Sequence, residues 1–197
     1  MKLNRFLLLT LLSALVLVMA ACGKKELEDT LDWKVGSFQA TTQANNSFST
    51  DEMKGKVWIA DLIFTSCETV CPPMTRNMSQ LQKKFKEEGL DVEFVSFSVD
   101  PKVDTPEKLK EFGKSHGASF KNWTYVTGYS QKDIQTFAKD TFHTLAEKIE
   151  GTDQVSHGSS FYLINKDNVV MKKYSGTQDV QYEQIIKDAK VLLNEES

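Results

Sequence analysis

The sequence predicts one α/β domain built on a mixed sheet with flanking helices, behind an N-terminal export segment. Three observations carry this. From residue 56 onward, strand-like apolar segments alternate with segments of helical period. The alternation includes a late hairpin, which adds antiparallel strands to parallel ones. After the N-terminal apolar run, about 175 residues remain, enough for a single sizeable core.

The export segment comes first. Lys2 and Arg5 precede the apolar run FLLLTLLSALVLV (6–18), and MAAC follows at 19–22. That order is the order of an export signal. The run falls short of the roughly 20 apolar residues of a membrane span. Ala20, Ala21 and Cys22 resemble a bacterial lipobox, with Met19 where Leu is usual. The resemblance makes 1–21 a lipoprotein signal peptide and Cys22 the lipidated mature N-terminus, on the extracytoplasmic face of the bacterial cell membrane. An ordinary cleaved signal with an incidental cysteine and an uncleaved anchor are the alternatives. All three place the rest of the chain outside the cytoplasm, in oxidising surroundings. GKKELEDTLD (23–32) is charged and lacks apolar period, so 22–32 reads as a tether and 33–197 as the domain. Removing Lys2 and Arg5 takes the net charge from −3 to −5. A mildly acidic chain without a basic stripe excludes nucleic acid as partner. Nothing in it demands more than a monomer.

The elements follow in order. KVWIADLIF (56–64) is a nearly continuous Val/Ile-rich run, as in a strand buried on both faces. Met74, Met78, Leu81 and Phe85 recur at helical spacing, so 73–88 is a helix that Gly89 stops. Pro72 and Pro73 suit its start, where the first N–H groups lack intrahelical partners. DVEFVSFSV (91–99) alternates as a strand. Thr105 caps a helix that has Pro106 at its first position. NWTYVTG is a short strand. Ser130 and Asp133 form a capping pair before a helix at 131–141. SSFYLIN (159–165) and VVMKKYSG (169–176) pair as a hairpin. A last helix, 180–194, has Ile185, Ile186, Ala189, Leu192 and Leu193 on one face.

The chemistry concentrates in FTSCETVCPPM (64–74), which holds Cys67 and Cys71. The pair reads as a structural staple, a redox couple or half of a metal site. With Cys22 committed to lipid, too few cysteines remain for a zinc ribbon or an iron–sulfur cluster. A disulfide across three residues constrains few unfolded conformations, so a staple has little physical motive. The pair lies between the end of a buried strand and a helix N-terminus. There, free N–H groups and the helix dipole favour a thiolate. The sulfurs are expected near the surface.

A strand–Cys–helix arrangement resembles the thioredoxin superfamily. Asp61, six residues before Cys67, resembles the buried acid of thioredoxins; the plainer reading is a hydrogen-bonded strand acid. Two departures matter. Three residues separate the cysteines instead of two, and the only prolines are Pro72, Pro73, Pro101 and Pro106, so none precedes the late strand. That segment instead reads VSHGSSFYLI (155–164). In a thioredoxin-like fold it faces the cysteine loop, which puts His157 beside Cys67 and Cys71. Two thiolates and an imidazole suit Cu(I), Cu(II) or Zn(II), and not calcium or magnesium. His116 and His143, on or near charged helices, read as surface residues.

With CETVCP, DPKVDTP (100–106) and SHGSSFYL together, the sequence resembles the Sco/SenC family over most of 33–195. These are copper-binding, thioredoxin-fold assembly factors of cytochrome c oxidase. The resemblance implies copper, as Cu(I) and/or Cu(II), held by Cys67, Cys71 and His157. It also implies the copper-A subunit of cytochrome c oxidase as client, and a metallochaperone more than an enzyme. Glu68 and Thr69 depart from the usual Pro and acid after the first cysteine, and Ser156 from the usual Asp before the histidine. Asp100 and Asp104 read as turn and cap residues, or as residues that shape the site. The competing readings are an extracytoplasmic thiol-disulfide oxidoreductase that keeps client cysteines reduced, and a peroxidase relative or redox sensor. For the last, Thr65 and Arg76 are present without being diagnostic.

Overall fold

The structure is a computed structural model that describes residues 27–194. Cys22 and the signal segment lie outside the described residues. Strands β1 (Trp33–Lys34), β2 (Gln39–Thr42) and β3 (Ser47–Ser49) precede a single 3-10 turn, Thr50–Met53. The core then alternates: β4 (Trp58–Ile63), α1 (Cys71–Glu87), β5 (Glu93–Ser98), α2 (Pro106–Ser115), β6 (Trp123–Thr127) and α3 (Gln131–Phe142). The chain ends with β7 (Ala146–Lys148), β8 (Val155–His157), β9 (Ser160–Ile164), β10 (Val169–Ser175) and α4 (Tyr182–Asn194).

Eight strands form one sheet in the order β1-β10-β9-β4-β5-β6-β2-β3, and β7 and β8 pair separately. β4, β5 and β6 run parallel, and β9 joins β4 antiparallel, so the sheet is mixed. β4 is buried throughout, as its continuous apolar run requires. β5 is buried on both faces as well, although its sequence alternates. On one face Phe94 meets Phe85 of α1, and Tyr125 packs against Gly113 of α2. On the other, Phe97 meets Phe137 and Phe142 of α3. α4 runs beside α1 through the Lys84–Glu183 and Lys190–Glu88 ion pairs.

The capping signals fold as expected. Thr105 accepts from the Lys108 N–H, and Ser130 and Asp133 cap one another reciprocally. His116 ends α2 against the Phe112 ring, and His143 ends α3 in a left-handed turn, stacked on Trp33. Both stay away from the cysteines. β1, β2, β3 and the β7–β8 hairpin extend the expected plan. Residues 27–32, part of the segment read as a tether, lie against the domain. Leu27 and Leu31 pack on the core, and the Leu31 N–H donates to the Met171 carbonyl at 3.0 Å.

Phe97 is fully buried and its ring meets those of Phe38, Phe48, Trp58, Phe137 and Phe142. Phe97→Ala is expected to cost about 3–5 kcal/mol of stability, read from the urea midpoint at constant m-value.

Candidate functional site

The site grows from the end of β4. The strand stops at Ile63, and after the loop 64–70 the chain enters α1 with Cys71 as its first helical residue. Proline at the start of α1 costs no hydrogen bond there. The N-cap residue, Val70, supplies no side-chain cap; instead the Cys71 N–H donates to the Cys67 sulfur at 3.3 Å. Both cysteines are free thiols and both are buried, Cys71 completely. The expectation of sulfurs near the surface is therefore corrected. Both side chains belong to the packed core, with Cys71 fully covered.

The two thiols differ sharply. Cys67 is lowered to about 4, first by the hydrogen bond from the Cys71 side chain and then by backbone N–H groups of Cys71, Thr69 and Val70, against the opposing effect of burial. Cys71 is pushed up, by that same bond to Cys67 and by burial. The helix N-terminus thus serves the first cysteine and leaves the second protonated.

His157 ends β8, the second strand of the hairpin, and comes within reach of Cys71 across 86 residues of sequence. Its Nε2 lies 3.6 Å from the Cys71 sulfur. Its Nδ1 lies 2.9 Å from the Gly158 carbonyl, which can only accept, so Nδ1 carries the proton and Nε2 faces the thiol. Gly158 fits tightly, since a Cβ there would lie 2.6 Å from the Thr144 hydroxyl oxygen. Burial lowers the His157 pKa, which keeps Nε2 available as a ligand. Among the described residues, no three His, Cys, Asp or Glu side chains are already drawn into a closed metal shell. The donor types of Cys67, Cys71 and His157 suit a soft or borderline ion.

The acids divide. Asp61 lies fully buried on the sheet face that α1 covers, and neither carboxylate oxygen finds a hydrogen-bond partner among the described residues. Burial pushes it up to about 7, and its charge adds to the upward pressure on Cys71. Asp104, by sequence a turn residue, does more. Its carboxylate accepts from the Thr65 N–H (3.1 Å), the Thr65 hydroxyl (2.6 Å) and the Ser98 hydroxyl (2.6 Å). It thereby fixes the backbone two residues before Cys67. Asp100 pairs with Lys148 at 2.6 Å. Thr65 is thus committed to Asp104, and Arg76 lies exposed on α1, so the peroxidase reading gains nothing from either.

The model of the family described as SCO1/SenC matches residues 28–194. The "SCO1 protein homolog" of Bacillus subtilis is 47% identical over 174 residues, 88% of this chain and 90% of the relative. The crystal structure of a SCO1/SenC family lipoprotein from Bacillus anthracis is 53% identical, with TM-score 0.83, and covers 86% of this chain and 100% of its own. A structure of BsSco is 45% identical, with TM-score 0.81 over 87% of this chain and 100% of its own. BsSco is named there as a member of the Sco family of cytochrome c oxidase assembly proteins with a disulfide switch. A more distant relative in Stutzerimonas stutzeri, 28% identical over 139 residues, carries a name that calls it copper-binding.

Two outcomes follow from the protonation pattern. In the reduced protein, iodoacetamide is expected to label Cys67 at a rate flat from pH 8 down toward its pKa of about 4, with Cys71 labelled far more slowly. Peptide mass spectrometry reads both. A rise in Cys67 labelling near pH 8.5 contradicts the assignment. Asp61 is raised from 3.8 to about 7, so the stability it confers is complete below pH 3.8 and is lost as pH rises through 7. Asp61→Asn is expected to remove that loss, so that urea midpoints at pH 5 and pH 8 draw together.

Proposed function

The chain belongs to the SCO1/SenC family, and from that premise we propose that it is a copper-binding assembly factor for the copper-A site of cytochrome c oxidase. Cys67, Cys71 and His157 hold the ion as cargo. The observation that carries this reading is the approach of His157 Nε2 to the Cys71 sulfur beside the Cys67 thiol. A redox pair needs no imidazole at that point, whereas a three-donor copper site does. The relative named as copper-binding and the oxidase-assembly role of BsSco support the same reading.

The charges give the mechanism. Two thiolates and a neutral imidazole neutralise Cu(II) and leave one negative charge with Cu(I). Binding at Cys71 releases the proton that burial and Cys67 hold there, so copper uptake is linked to pH. Oxidising the pair to a disulfide removes both thiolate donors and two electrons together, which links cargo affinity to redox state. Three protein donors leave a coordination position for a client's ligand. Lipid on Cys22 anchors the domain at the extracytoplasmic face of the membrane. The lipobox-like AAC and the lipoprotein relative from Bacillus anthracis support this. Tethering raises the effective concentration of a membrane-embedded client.

The second reading is a thiol-disulfide oxidoreductase that keeps client cysteines reduced. The low-pKa Cys67 beside a protonated Cys71 favours it. Anaerobic titration of the reduced protein separates the two. We expect one Cu(II) per chain with an intense thiolate-to-copper absorption. His157→Ala is expected to weaken binding by at least about tenfold, a loss that changes around a metal's ligands already reach, while leaving disulfide exchange near the parent rate. Copper bound as tightly by His157→Ala as by the parent overturns the three-donor site. Oxidase assembly retained by that variant in cells favours the reductase.

A further inference from the structure

We propose that the loop after β5, Val99–Asp104, is a brace that sets the gap between the cysteine and histidine halves of the site, with Gln131 and Lys148 as positioning residues on the histidine side. The cysteine half is held first. The Val99 N–H donates to the Ile63 carbonyl at 2.8 Å, and the buried Asp104 carboxylate accepts from Thr65, two residues before Cys67. The histidine half is held from the same loop. The Gln131 side-chain amide donates to the Val99 carbonyl at 3.0 Å and to the Ala146 carbonyl at 3.1 Å. Ala146 is the residue opposite His157 in the hairpin register. Lys148, two residues further along β7, donates to the Asp100 carboxylate at 2.6 Å.

The hairpin needs such holding. Two paired strands of three residues each are marginal alone, so their position is set by what they dock on. Beside the buried Ala146 and Val155 and the Phe64 ring, which meets His157 edge-on at 5.5 Å, the Gln131 and Lys148 contacts join them to the loop that also fixes Cys67. Asp100 is buried while Lys148 stays about one-third exposed. The joint is therefore reachable from outside, and opening it withdraws His157 while both thiols keep their places. Loss of the third donor, ahead of the cysteines, is then the first step of cargo release. This last consequence rests on the copper reading; the brace itself does not.

The test compares the reduced full chain with Lys148→Met, Gln131→Ala and, as rescue, Lys148→Arg. Hydrogen exchange followed by mass spectrometry reads 145–157 against α1 in the metal-free protein, and a competing chelator reads the rate of copper loss. We expect each of the first two variants to speed exchange in 145–157 by about tenfold, as expected when a local opening unit loses its tie, with α1 unchanged. Copper loss is expected to quicken by about tenfold, with Lys148→Arg near the parent in both measurements. Parent-like exchange at 145–157 in both variants overturns the brace, as does a speed-up of equal size in α1. Should the parent itself bind no copper, the cargo reading falls and the exchange data alone decide the brace.

Discussion

The parallel pairing of β4 with β5 is the constraint on which the site depends. The register runs from Trp58 opposite Glu93 to Ile63 opposite Ser98, so the two strands end side by side at the sheet centre. Two loops must then leave the sheet together, 64–70 toward α1 and 99–105 toward α2. Each exposes backbone groups that need partners in a buried setting. Asp104 satisfies the Thr65 N–H directly. β9, antiparallel on the other side of β4, begins just after His157 and delivers it to the same end. Ends of strands in open α/β sheets collect ligands because loops from separate elements converge there, and here the convergence is of sulfur and nitrogen donors.

Within that convergence the chemistry is set first by the hydrogen bond between the two sulfurs, which lowers Cys67 and raises Cys71, and then by the backbone N–H groups that turn to Cys67. Four residues' difference in placement, Cys71 as the first helical residue and Cys67 in the loop before it, goes with one acidic thiol and one buried proton holder. A metal that takes both must displace the proton on Cys71. An oxidant that takes both must also remove that proton: Cys67 attacks first as the thiolate, and Cys71 resolves the intermediate as it gives up its S–H proton, so the pair loses two electrons and one proton. The same two sulfurs thus support metal retention and disulfide formation, and the two processes exclude one another. The partnerless Asp61 adds charge below Cys71 and raises the cost of a second thiolate as pH increases.

Much of this was legible in the sequence because it is local. The Val/Ile run of β4, the helical spacing of Met74, Met78, Leu81 and Phe85, and the caps at Thr105 and Ser130 are short-range signals, and each folded where it pointed. The cysteine pair was visible for the same reason. What escaped was short or long-range. β1, β2, β3, β7 and β8 are two to four residues each, too short to show a period, and AEK and VSH are polar. The burial of Cys67 and Cys71 depends on how both pack into the core, which spacing alone does not reveal. Asp104 was misleading in a useful way. Its place before Thr105 and Pro106 accounts for it as a turn residue, and that local account hides its reach to Thr65, 39 residues away.

The division of the donors between two kinds of support has its own consequence. Cys67 and Cys71 share one strand-to-helix turn, backed by the fully buried Met74 and Met78 of α1. His157 comes from a small hairpin docked through Ala146, Val155, the Phe64 ring against His157 and a few polar contacts. A site of three donors on equally rigid supports would hold a metal well and release it poorly. A site with all three on mobile supports would lose the metal to solvent thiols. Two donors on the core and a third on a separately held hairpin let affinity be changed at one donor without unfolding the other two. On the proposed copper reading, that asymmetry is a physical basis for transfer: the histidine side would set when the ion goes, and the cysteine side how tightly it stays until then.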